Sequence, residues 1–330
     1  MTGETTGEMT ASEEVRAELA VLAEELGGVT WVQGPGGNVS VKDGGALWVK
    51  ASGTRLATVA SPGGHVGVDR EDAVRALEGD ADADARLFGR TPRPSLETYF
   101  HALGARVVAH THPVAVLLAA CSTSPGGVLD LPLVPYERPG RGLALAVARV
   151  REANPGRDAL VLESHGLLVD APTAAEAVAR SREITAQAAA AFGIDVSTYE
   201  ALALAYLAGA VKDVHGGAAC ALPPRAQSSR YLFPDAVVYA SVVRADRAEA
   251  ETLPAAVAAL GRAVVVAGDD GSRVAFAKSR AALSSAVEVL AAHDWVEDVL
   301  SSRGVARYLA DDEPEKILDL PSEKYRMRLG

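Results

Sequence analysis

The stretch VVAHTHPVAV, residues 107–116, constrains the fold more than any other part of the chain. An apolar run of this kind belongs in a core, yet it carries two of the seven histidines. Side chains on a strand alternate between faces with period 2, so His110 and His112 are expected to point the same way. That geometry suits two ligands of one metal ion. It suits equally a pair of surface histidines at a strand end, and the spacing alone does not choose between them.

Strand and helix patterns alternate around this run. Residues 1–11 read as a disordered acidic tail. A helix follows, with Thr10 and Glu13 arranged as a capping box, an apolar stripe of Val15, Leu19, Leu22 and Leu26, and Gly27-Gly28 as its stop. Strands are expected near 38–42 and 46–50, joined by an Asp-Gly-Gly turn, then a helix capped by Asp69. A loop rich in Asp, Arg and Pro leads to a short helix with Pro94 and Ser95 at its start. After the HxH strand come a buried helix (PVAVLLAACS), an extended segment (GVLDLPLVPY) and a helix over 140–156. The apolar stretch 158–172 reads as a strand pair broken at Ser164-His165-Gly166, followed by a long helix with Thr173 as N-cap. The pattern predicts a layered α/β domain over 12–209. Residues 210–230 read as a linker. Residues 231–330 read as a small α+β unit, with strands in AVVYASVV, AVVVAG and RVAFA, and helices in SRAALSSAVEVLAAH and WVEDVLSSRG.

Composition excludes several classes. A net charge of −11 with no basic run argues against a nucleic-acid partner. Cys121 and Cys220 are too few for a disulfide framework. No apolar run is long enough to span a membrane, and the N-terminal residues have no signal-peptide core. A cytoplasmic location is the expectation.

A metal site needs a third ligand near the HxH pair. A cupin-type site would place a glutamate a few residues after His112, and an HxHxDH site would place Asp-His where this chain has VAV; neither is present. His165 is the better third ligand, because it interrupts an apolar strand beside Gly166 and can emerge at a turn. His65, His215 and His293 lie in loop or helix-start contexts, and His101 reads as a packed residue behind the site. Glu97 is the candidate acid–base, although a carboxylate is also welcome in a first helical turn on dipole grounds. The glycine-rich stretches GPGGNVS and ASGT, with PSLE at a helix start, together suggest an anion site.

Taken in order, GGNVSV, ASGT, PSLET, HTHP, VPY and ESHG resemble the class II aldolase/adducin family over roughly residues 12–205. The resemblance implies a three-layer domain with a central, mainly antiparallel sheet. It implies a divalent metal, zinc first and manganese, cobalt or iron as alternatives, on His110, His112 and His165. Glu97 would carry the proton, and Asn38, Ser52, Gly53 and Ser95 would line a phosphate pocket. Tyr136 would act as an acid in a neighbouring subunit's site, within a homo-oligomer, a tetramer in the usual case. The implied activity is cleavage or formation of a C–C bond in a ketose or ketose phosphate through a metal-stabilised enediolate. Decarboxylase, epimerase and dehydratase chemistry share the fold, and a non-catalytic adducin-like module is a further alternative. Two departures stand out: Leu96 replaces a second serine before Glu97, and the interval from Glu97 to the HxH pair is short. Both weaken phosphate recognition and leave the metal site intact. Lys50 and Arg55, flanking the ASG loop, either compensate with charge or are surface cations.

Overall fold

The computed structural model describes residues 9–209, 211–226, 228, 230–244 and 253–320; most of the expected N-terminal tail lies outside these. Ser12, not Thr10, caps the first helix, α1 (Glu13–Leu26), accepting from the Val15 amide at 3.3 Å. β1 (Asn38–Asp43) and β2 (Ala46–Lys50) form the expected hairpin, with Gly44 in the turn at a φ of 57° that only glycine adopts freely. β3 (His65–Asp69) adds to β2, in a stretch where no strand is expected from sequence. Its Gly67 breaks the alternation because a Cβ there would come within 2.7 Å of the Trp48 ring. Asp69 caps α2 (Arg70–Glu78) as expected. The Asp-rich stretch after it is not a loop: the Asp80 carboxylate accepts from the Asp82 and Ala83 amides and starts α3 (Ala81–Phe88). The helix expected from Pro94 begins later, as α4 (Thr98–Leu103), because the Ser95 carbonyl and hydroxyl are used in a turn before it.

β4 (Val107–Thr111), α5 (Val114–Ala120), β5 (Leu133–Val134), α6 (Arg141–Ala153), β6 (Ala159–Leu162), β7 (Gly166–Ala171), α7 (Ala174–Phe192) and α8 (Ser197–Leu207) complete the N-terminal part. The sheet runs β3-β2-β1-β4-β7-β6-β5, antiparallel except for β5 and β6. Its two faces follow the strand period. Val39, Val41, Val107, Ala109, Leu167 and Val169 pack toward α1, α5 and α7. Leu47, Val49, Val108, Leu160 and Leu168 pack toward α2, α3, α4 and α6. This is the expected three-layer α/β architecture.

Residues 212–222, expected within a linker, form a hairpin of β8 (Lys212–Val214) and β9 (Gly217–Leu222). Its small residues, Ala218, Ala219 and Cys220, have little β-propensity, so only tertiary pairing reveals the strand. The expected strand at AVVYASVV is split, because Pro234 starts a helical turn, α9 (Pro234–Tyr239), ahead of β10 (Ala240–Arg244). After α10 (Leu253–Leu260), β11 (Ala263–Ala267) and β12 (Arg273–Ala277) complete a second sheet in the order β10-β11-β12-β9-β8. The two helices expected next are one, α11 (Arg280–Ser301), followed by α12 (Glu313–Leu318). No helix among the described residues is long and apolar enough to cross a membrane.

α11 is continuous because its central polar residues have partners elsewhere and do not cap an end. The Asp294 carboxylate takes Arg273 Nη1 at 2.6 Å and Arg225 Nη1 at 2.9 Å, and also bonds the Tyr206 hydroxyl. The Arg273 side chain is fully buried, so its charge depends on Asp294. One apolar core runs from Val15 through Leu118 and Tyr206 to Leu300, joining both sheets. Asp294→Ala is therefore expected to cost about 3–5 kcal/mol by leaving buried guanidinium charge uncompensated. Urea unfolding measures this; a loss below about 1 kcal/mol would show the network to be neutral.

Candidate metal centre

His110 is the penultimate residue of β4, and His112 follows the strand's end. The His112 amide donates to the Trp31 carbonyl at 2.8 Å, and the Val114 amide to the Thr30 carbonyl at 3.1 Å. These bonds hold the chain in line past the strand, so the two imidazoles stay on one side as their spacing predicts. His165 comes from the tight turn between β6 and β7. Ser164 before it has φ 52°, unusual for a residue with a side chain among the described residues and costing on the order of 1 kcal/mol or more. The turn is pinned by the Ser164 amide on the Ala120 carbonyl and the His165 amide on the Leu162 carbonyl. Gly166 is required for close approach, since a Cβ there would lie 2.5 Å from the Thr111 carbonyl and 2.9 Å from the His112 ring.

The three rings converge. His110 Nε2 lies 3.1 Å from His112 Nε2 and 3.3 Å from His165 Nε2. Glu97, at the N-cap of α4, places Oε1 3.3 Å from His165 Nε2 and 3.6 Å from His110 Nε2. Tautomers follow from the other ring nitrogens. His110 Nδ1 donates to the Leu167 carbonyl at 2.9 Å, and His112 Nδ1 faces Asp235 Oδ2 at 3.1 Å. His110 Nε2 therefore presents a lone pair, and a proton on His112 Nδ1, toward the Asp235 carboxylate, would leave His112 Nε2 presenting one as well. Burial pushes His110 down to about 3, so this imidazole is neutral at pH 7. The Glu97 carboxyl is held well below the ordinary carboxylate range: burial raises its pKa, and its contacts with His110, His165 and His112, the hydrogen bond from His165 among them, more than reverse that.

This donor set fits a small divalent ion. Ligand atoms about 2.0–2.1 Å from a tetrahedral ion stand about 3.3–3.4 Å apart, close to the 3.1 and 3.3 Å that separate His110 Nε2 from the other two rings. Lone pairs at 3.1 Å repel, and a cation among them removes that cost. A second group of potential ligands, His293, Asp294 and Glu297, does not fit in the same way. Arg225 and Arg273 already hold its carboxylates, and His293 Nε2 accepts the Leu232 amide.

A cleft opens on the cluster, lined by Lys50, Ser52, Gly53, Ser95, Glu97, His112 and His165. Asn38 is fully buried opposite His110 in the β1–β4 register, and its amide N and O meet no protein partner among the described residues. Lys50 is not a surface cation: it is buried, its Nζ donating to the Pro35 and Thr54 carbonyls. Arg55 is engaged elsewhere, its Nη1 donating to both carboxylate oxygens of Glu288 at 2.9 and 2.8 Å. Tyr136 is not brought to the histidines, because its hydroxyl donates to Glu313 Oε1 at 3.0 Å. Burial raises its pKa further above the ordinary phenol value, and Glu313 adds to this. His101 sits behind the site, its Nδ1 2.8 Å from the Ser40 hydroxyl and its ring stacked on Phe100.

Sequence reasoning missed the contribution of the C-terminal residues. Pro234, Asp235, Val238, Ile317 and Leu320 line the same cleft. Glu288 accepts the Gly34 amide at 2.8 Å, and Arg307 pairs with Glu163 beside the His165 turn. Only the acidic character of Asp235 next to Pro234 was visible as a signal, and a Pro-Asp pair is an ordinary helix start.

The model of the class II aldolase and adducin N-terminal domain matches residues 17–192. The uncharacterized oxidoreductase YuxG of Bacillus subtilis (strain 168) is 30% identical over 138 residues, 37% of this chain and 20% of that one. A probable bifunctional methylthioribose-1-phosphate isomerase/methylthioribulose-1-phosphate dehydratase of Nocardia farcinica (strain IFM 10152) is 33% identical over 134 residues, 39% of this chain and 22% of that one. The chain thus spans about a fifth of the length of these curated relatives. Among solved structures, the N-terminal class II aldolase domain of a conserved Thermoplasma acidophilum protein is 29% identical with a TM-score of 0.45, covering 57% of this chain and 97% of that one. The L-fuculose-1-phosphate aldolase of Thermus thermophilus is 21% identical with a TM-score of 0.40, covering 58% of this chain and 96% of that one. With more than half of its length matched by the domain model and three histidines and a glutamate gathered at one cleft, the chain belongs to the class II aldolase and adducin N-terminal domain family.

Proposed function

We propose that this chain is a divalent-metal-dependent lyase acting on a ketose or ketose phosphate. The observation that carries the reading is the convergence of His110, His112, His165 and Glu97, four donor atoms at spacings suited to one ion. The three imidazoles would hold the ion, zinc first and manganese, cobalt or iron as alternatives. When bound, the ion supplies Lewis acidity toward the carbonyl and adjacent hydroxyl oxygens of the sugar. Glu97, at the floor of the cleft, carries the proton to or from the carbon beside that carbonyl. Ser52, Ser95 and the backbone at Gly53 offer donors to a phosphate, and Lys50 adds positive charge where Leu96 has removed a hydroxyl. Asn38, with an unpaired buried amide, is a further candidate for a substrate oxygen.

A dehydratase reading has one observation in its favour. The hydroxyl that the aldol reading assigns as acid for the aldehyde oxygen, that of Tyr136, is donated to Glu313 within this chain. For Tyr136 to serve a neighbouring subunit it must first give up Glu313. The Nocardia farcinica relative carries a dehydratase in its name. An adducin-like module without catalysis is disfavoured by the complete ligand set.

Screening ketose phosphates, free ketoses and oxo-acids for release of aldehyde, carbon dioxide or a dehydrated ketone, with and without zinc or manganese, separates these readings. Glu97→Gln is expected to retain one divalent ion per chain by metal analysis and to lose about 10²–10⁴ in turnover. Turnover near wild type with metal bound would remove Glu97 from the mechanism. Lys50→Met is expected to raise KM for a phosphorylated substrate by about ten- to a hundredfold, the value of one charged hydrogen bond. An equal change for the unphosphorylated sugar would make Lys50 a structural residue only.

A further inference from the structure

We propose that Asp235, supplied by the C-terminal residues, is a positioning residue for the metal centre, acting through His112; this rests on the metal reading above. A neutral imidazole carries one proton, and the partner of one nitrogen decides what the other can do. For His110 that partner is the Leu167 carbonyl. For His112 it is the Asp235 carboxylate, 3.1 Å from Nδ1. A carboxylate at that distance favours the proton on Nδ1, which would aim the Nε2 lone pair at His110 and His165 and raise the basicity of the ring.

The contact is built from several directions. Asp235 is the second residue of α9, and the segment leading to it is anchored on both sides. The Leu232 amide donates to His293 Nε2 at 3.2 Å, and the Leu232 carbonyl accepts Cys121 Sγ at 3.6 Å, at the end of α5. Leu232 and Phe233 are buried in the shared core. On the opposite side, Gly36 makes room: a Cβ there would lie 2.8 Å from Asp235 Oδ2 and 3.2 Å from His112 Nδ1. The glycine-rich loop thus has a role that an anion-cradle reading does not require, since a side chain at Gly36 would wedge the carboxylate from the ring. His293 also finds its function here, holding the backbone that carries Asp235.

The test measures zinc affinity of the full-length protein by competition with a chromogenic chelator, for wild type, Asp235→Ala, Asp235→Asn and Gly36→Ala. Circular dichroism checks that each variant is folded, and ring ¹⁵N NMR reads the His112 tautomer. Asp235→Ala is expected to weaken zinc binding about 10–100-fold and to lose the single Nδ1–H form of His112. Asp235→Asn keeps an acceptor oxygen without the charge, so it should fall between Asp235→Ala and wild type. Gly36→Ala should reproduce the loss with the carboxylate still present. Folded Asp235→Ala with wild-type zinc affinity and an unchanged tautomer would overturn the proposal, and lost turnover in that background would assign Asp235 to the substrate instead. A wild-type chain that binds no zinc overturns the metal reading itself, an outcome visible before any variant is made.

Discussion

Nitrogen lone pairs do not gather by themselves. Holding His112 Nε2 3.1 Å from His110 Nε2, with an ionised carboxylate beside them, places like partial charges together in a site with little water to screen them. The surrounding structure must impose that arrangement, and a cation held among the rings would offset its cost. Most local features near the cleft make sense as parts of this constraint. The strand fixes His110, the Trp31 carbonyl continues the line to His112, and the strained Ser164 turn lifts His165 out of an apolar hairpin. Strain of that kind is stable only where neighbouring bonds over-determine the turn, and the Ala120 and Leu162 carbonyls do so here.

The same constraint explains why the site lies at an end of the sheet and not in its middle. A metal ligand further inside β4 would have apolar rows on either side, as Ala109 has between Val39 and Val169 in the adjacent registers. At the end of the strand, the β1 loop, the β6–β7 turn and the start of α4 all reach the same point. Each contributes one type of group: small glycines for access, an imidazole, and a carboxylate. The chemistry is distributed over segments far apart in sequence because no single element can present four converging donors.

What is legible in the sequence follows from which interactions are local. Short apolar runs bounded by turn signals identify β1, β2, β4, β6 and β7, and cap chemistry identifies α2 and α7, because strand ends and N-caps are decided within a few residues. The His110–His112 pairing is legible for the same reason. β3, β9 and the continuity of α11 are not, since Gly67, Ala218–Ala219 and Asp294 are explained only by Trp48, by β12 and by Arg273. Lys50 and Arg55 illustrate the point for the site: two cations flanking one loop look alike in sequence. One is buried by carbonyls of its own loop region, and the other is claimed by Glu288 from α11. Tyr136 is similar, its environment being set by Glu313, far along the chain.

These distant partners share a direction. Glu288, Arg307 and Glu313 each take a charged or polar group from the loops around the cleft, and Val238, Ile317 and Leu320 add apolar wall. This wall shields one side of the cleft from water, which strengthens the electrostatic interactions next to it. It also ties the site's geometry to the packing of α9, α11 and α12, so perturbing the C-terminal core should loosen the loops as well as the core. The first sheet and the loops at its end thus supply the donors, and α9, α11 and α12 supply the contacts that hold those loops.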